Sequence, residues 1–150
     1  MIIDSQTQIA LKLHIISMRQ VTEQYAPEEQ ERTDIINSDS TTAMKVFTAR
    51  HQLIAHLKDQ LSAIRELCPG GLKFIDILSE WINAWEEIND HLEAMRNFRQ
   101  TRLDTSNKDS MEKAREMILR NRVNASRYSS LGKDLKEMLL SETGLDIDNC

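Results

Sequence analysis

The sequence predicts an all-α protein, an elongated antiparallel helical bundle built from long helical hairpins of three to four helices. Three observations predict it. Helix formers dominate, while Gly occurs 4 times and Pro 2 times in 150 residues, too few turn residues for a multi-stranded β protein. Apolar residues recur at helical spacing over stretches far longer than a strand. The stretch from about 72 to 102 would form a helix about 45 Å long at 1.5 Å per residue, too long for a compact globule. By length the chain is one domain, 1–150, able to bury a real core.

The first helix is expected over about 4–25, with Asp4 or Ser5 as N-cap. Ile9, Leu13 and Ile16 lie on one side, with Leu11, Ile15 and Met18 beside them. So wide a stripe suits a helix packed against two neighbours. Pro27 follows, and the Glu pair after it in "YAPEEQERTDII" also suits a helix start. The chain either kinks at Pro27 or restarts there; one long kinked arm ending near Asn37 is the favoured reading.

"NSDSTT" is a turn by composition, and Asp39, Ser40 or Thr41 can cap the next helix, about 42–67. Phe47, Arg50, Ile54, Leu57, Leu61, Ile64 and Cys68 follow a strict 3-4 alternation, the spacing of a coiled-coil seam. "CPGG" stops that helix, with Gly70 or Gly71 free to take a left-handed C-cap. The third helix repeats the seam with Phe74, Leu78, Trp81, Trp85, Ile88, Leu92 and Met95. "LDTSNKDS" is the next break; Asn107, Asp109 and Ser110 are caps for a last helix over about 110–141. The acidic tail 142–150, "ETGLDIDNC", is expected to be frayed.

Composition excludes several functions. The formal net charge of −5, from 24 acidic and 19 basic side chains, leaves no basic footprint for nucleic acid. Cys68 and Cys150 make neither a disulfide framework nor a metal-binding spacing, which points to a reducing compartment. "MIIDSQTQ" has no basic region followed by an apolar run, so no signal peptide is expected. No apolar window is long enough to insert in a membrane. A cytoplasmic protein is the expectation. Aromatics at 5% argue against a large aromatic-lined small-molecule pocket.

No catalytic motif appears: no Gly-rich phosphate loop, nucleophile elbow or Cys-His constellation. A non-enzyme without cofactor is the resulting reading. His51 and His56, five apart, diverge around a helix and read as solvated surface histidines. Glu87 and His91 could touch, but the paired Glu-x-x-His pattern of di-iron bundles is absent, so no metal site is expected. "AHLKDQ" superficially resembles the phosphorylated helix of histidine-phosphotransfer domains. Yet His56 adjoins Leu57 directly, and Asp59 carries the wrong charge beside an incoming phosphoryl group. Trp81 and Trp85, four apart, read as core rather than as a ligand slot. Met111, Met117 and Met138 lie on the last helix, where Met either fills gaps or adapts to a partner.

The last helix has an oddly polar seam: Met117, Asn121, Asn124, Tyr128, Leu131, Leu135 and Met138. A buried carboxamide without partners costs about 1–3 kcal/mol. Two of them can register a coiled coil. Alternatively, this face is only partly packed and receives a partner helix along the groove. On that second reading Asn121, Asn124, Tyr128, Leu131, Leu135 and Met138 form the partner-binding surface.

The order of features resembles FlgN-type flagellar export chaperones. The stretch 28–67 is similar to that family's N-terminal hairpin: a glutamate-rich helix, a turn with Asp39, then Arg50 three residues before the Leu53-Ile54 pair. Leu57, Leu61 and Arg65 follow. Asn121 and Asn124, three apart and followed by Leu131 and Leu135, resemble the family's last helix. Arg50 stands where the family more often has Lys, and no Gly follows Asn124. The resemblance implies a cytoplasmic type III export chaperone that keeps secreted hook-associated (hook–filament junction) proteins soluble. It would hold them through its C-terminal amphipathic helix and pass them to the export gate. Neither nucleic acid nor membrane insertion is implied, and both monomer and homodimer fit. Two other readings stand beside it: a histidine-phosphotransfer-like module using His56, and a self-associating coiled-coil adaptor.

Overall fold

The computed structural model describes residues 3–25, 40–100 and 108–150. Among the described residues four helices follow one another: α1 (Ser5–Tyr25), α2 (Ser40–Leu67), α3 (Lys73–Gln100) and α4 (Lys108–Thr143). A short 3-10 helix, Ile147–Asn149, ends the chain. No strand occurs among the described residues. The protein is therefore an all-α helical bundle. No described helix is long and apolar enough to cross a membrane.

Cross-helix pairs fix the topology. His14 with Gln60 and Ser17 with His56 run α1 against α2, antiparallel. Lys58 with Glu86 and His51 with Glu93 do the same for α2 and α3. Glu142 with Lys73 and Arg127 with Glu87 set α3 against α4. The Gln8 side-chain amide donates to the Thr143 carbonyl oxygen at 2.8 Å, closing the bundle from α1 to the end of α4.

The starts and stops obey local chemistry. Asp4 caps α1: its carboxylate accepts the Thr7 N–H at 2.7 Å, and that bond holds the carboxyl below its ordinary range. Ser40 already belongs to α2, and Asp109 and Ser110 lie in the first turn of α4. Between α2 and α3, Gly71 takes φ +89°, a left-handed turn that Pro69 alone could not make. The Pro27 question, Asn37, Asp39, Asn107 and the last two residues expected of the third helix lie outside the described residues.

The seams of α2 and α3 form the core. Phe47, Arg50, Ile54, Leu57, Ile64 and Cys68 are buried on α2, and Phe74, Leu78, Trp85, Ile88 and Leu92 on α3. Leu61, Trp81 and Met95 are half-buried. The helix-one stripe is narrower than expected. Leu11, Ile15 and Met18 are buried, whereas Ile9 and Leu13 are 64% and 66% exposed.

The tail corrects the expectation of fraying. Gly144, at φ +76°, turns the chain back after α4. Leu145 is buried, and Ile147 and Cys150 pack on the main core. Asp146 caps the 3-10 helix by accepting the Asp148 N–H at 3.0 Å. Arg19 Nη1 donates to the Ile147 carbonyl at 2.6 Å. The apolar side chains of "GLDIDNC" thus outweigh its charge, because the end of the bundle offers them an apolar surface.

Candidate protein-binding site

Helix α4 consists of two unlike halves. Its fully buried residues are Leu135, Leu139, Glu142 and Thr143, all near its C-terminus. Tyr128 stacks on Trp81 with ring centroids 5.5 Å apart and planes 25° apart. It meets Trp85 edge-on at 5.8 Å, and Trp81 meets Trp85 at 6.5 Å. Such pairs add about 0.5–1.5 kcal/mol beyond their buried area. Burial pushes the Tyr128 phenol above its ordinary range. Leu135 and Met138 belong to the main core, and Leu131 is half-buried.

The seam expected to lie open therefore faces α3. Of the six residues placed on a partner-binding surface, Tyr128, Leu135 and Met138 are packed within the protein's own core. The physical reason is the α3 tryptophan pair, which provides a broad apolar face opposite them. Trp85 is core, at 2% exposure. Trp81 is half-buried, between core and surface.

The two asparagines behave differently. Asn124 is half-buried in a polar groove with Glu87, His91, Lys113, Glu116 and Arg120. The Asn121 carboxamide oxygen is enclosed without a hydrogen bond. The antiparallel register that sets Arg127 at Glu87 and Gly132 beside Trp81 brings Asn124 level with Asn89, and Asn121 one turn farther along, level with Leu92. Asn89 is 1% exposed, and neither atom of its carboxamide is bonded. The Trp85 indole lies one turn away, edge-on to the Tyr128 ring. This polar level weakens the α3–α4 contact, because buried polar atoms without partners forfeit their hydration. Asn89→Leu should accordingly leave stability unchanged or raise it by about 1–2 kcal/mol in urea unfolding. A loss above about 1 kcal/mol would show that the carboxamide has partners.

Before Leu135 no side chain of α4 is fully buried. On this stretch Ile118, Leu119 and Val123 are 44%, 59% and 66% exposed. Leu119 and Val123 are one turn apart, on the face opposite the Asn121–Asn124 seam. Seam spacing alone missed them; the sign in the sequence is the apolar "MIL" and "V" of "MILRNRV", which outrun a single stripe. Met111 and Met117 are half-buried, Met117 on the seam toward α3.

No family model, curated protein or solved structure matches the chain. The site is therefore read from its own geometry.

His51 is exposed and lies 3.2 Å from a Glu93 carboxylate oxygen. His56, expected on the surface, is half-buried, with Nε2 3.2 Å from the Ser17 hydroxyl in the α1–α2 interface. A phosphoacceptor needs an open ring nitrogen, and this one is engaged. Among the described residues no group of three or more His, Cys, Asp or Glu side chains could hold a metal ion.

Proposed function

We propose that the protein is a non-enzymatic, cytoplasmic helical binding protein of the flagellar export-chaperone kind. Its partner is an amphipathic helix of a secreted hook-associated protein, held along α4 and kept soluble for export. One observation carries this reading: the long stretch of α4 before Leu135 buries no side chain fully, yet displays Ile118, Leu119 and Val123. A partner helix laid there gains an apolar face. The order of features shared with FlgN-type chaperones supports the same assignment. The packing of Tyr128, Leu135 and Met138 moves the proposed contact to the N-terminal half of α4 and its Leu119–Val123 face.

Truncating α4 is a poor test, since Leu135, Leu139 and Glu142 belong to the core. Surface variants are better. With a purified hook-associated protein from the same genome, Leu119→Asp with Val123→Asp should weaken binding by about tenfold or more, or about 1.4 kcal/mol. Asn121→Ala with Asn124→Ala, on the opposite face toward α3, should leave the affinity unchanged. Calorimetry beside thermal melts separates lost binding from lost folding. Unchanged affinity in the Leu119→Asp, Val123→Asp variant, with melting preserved, sinks the reading.

A further inference from the structure

A second surface, independent of the proposed partner helix, lies where α1, α3, α4 and the 3-10 turn meet. A cleft of about 480 Å³ opens there, within the range of about 300–1,000 Å³ usual for small-molecule sites. Ile15, Met18, Leu78, Trp81, Tyr128 and Leu135 line it, and Ile147 closes one end. Trp81 and Tyr128, stacked on one another, supply its aromatic surface.

The rim is cationic in a chain whose net charge is −5. Arg19, Lys133 and Lys136 border the cleft, against a single carboxylate, Glu23. Arg19 is held by Glu23 and by the Ile147 carbonyl. Lys136 pairs with Asp148 at 2.9 Å, both largely exposed, a contact weak enough to exchange for another anion. Lys133 is exposed and has no ion-pair or hydrogen-bond partner among the described residues. The Trp81 indole nitrogen lies beside Gly132, where a Cβ would stand 3.5 Å from it.

We propose that this cleft binds a small amphipathic monoanion, with an aliphatic or aromatic body against Trp81 and Tyr128 and an acidic head at Lys133 and Lys136. Volume argues for a small molecule over a polypeptide. A helix about 10 Å across fills about 400 Å³ per turn, so the cleft holds one turn at most. The apolar lining selects the body, and the cations select the charge of the head.

The test uses the full chain with a terminally brominated undecanoate, whose bromine quenches tryptophan on contact, and the matching brominated alcohol. Saturable quenching by the carboxylate with Kd near about 0.1 mM is expected, with the alcohol about tenfold weaker. Lys133→Glu with Lys136→Glu should remove that difference. Gly132→Leu should block both probes while the melting profile shows a folded protein. If Gly132→Leu does not fold, Ser129→Phe, at an exposed position on the same lining, takes its place. Non-saturable quenching, equal affinity for acid and alcohol, or quenching that survives the blocking variant overturns the proposal. So does displacement of the probe only by an acidic peptide and never by unbrominated undecanoate.

Discussion

Replacing Glu142 with alanine is expected to destabilise the protein by about 2–4 kcal/mol. Its carboxylate accepts the backbone N–H groups of Lys73 at 2.8 Å and Phe74 at 2.6 Å. These are first-turn donors of α3, which have no partner within their own helix. The site is buried: Glu142 is 7% exposed and Phe74 fully enclosed. Alanine would leave two donors without water or acceptor, and would remove a negative charge from the positive end of the helix. Glutamine should recover only part of the loss, since its amide keeps one acceptor oxygen and turns an NH₂ toward the other donor. Urea unfolding with an unchanged m-value checks this. A loss below about 1 kcal/mol for the alanine variant would mean that the bonds seen here add little.

Trp85→Ala should cost about 3–5 kcal/mol, the largest effect expected of any single truncation on α3. The ring is 2% exposed and touches both Trp81 and Tyr128 edge-on. Removing it opens a cavity at the junction of α3 and α4 and leaves the Tyr128 ring with one aromatic neighbour. In a domain of this size the loss lowers the melting temperature by about 10 °C or more. Trp85→Phe should be far milder, because a phenyl ring keeps most of the buried packing. Equal losses for alanine and phenylalanine would argue against packing as the cause.

Both predictions concern contacts of long sequence separation, which marks the boundary of what spacing reveals. The seams of α2 and α3 were legible because each apolar position recurs three or four residues later, and a helix converts that spacing into a stripe. The boundaries were legible for similar reasons. Asp4 caps its own helix, and "CPGG" cannot continue one. On α4 the same spacing was visible but its meaning was not. A stripe of Met, Asn, Tyr and Leu reads alike whether it faces a partner or a neighbour in the same chain. Only the position of Trp81 and Trp85 opposite it decides for the neighbour. The exposed cluster at Ile118, Leu119 and Val123 then becomes visible as what that neighbour leaves uncovered.

The sequence by itself determined that this chain is all-α, where its helices run, and which stripes of α2 and α3 enter the core. Those properties are local, and each follows from residues within a few turns of one another. Tertiary structure decided the rest. It buried one stripe of α1 and left Ile9 and Leu13 outside, docked the tail through Leu145 and Ile147, and set Glu142 at the start of α3. It also gathered Trp81 and Tyr128 beside Lys133 and Lys136 into a cleft. Each of these depends on which helix meets which, and at what register. No periodicity within one helix carries that information, because burial and hydrogen bonding are settled by the neighbour that arrives.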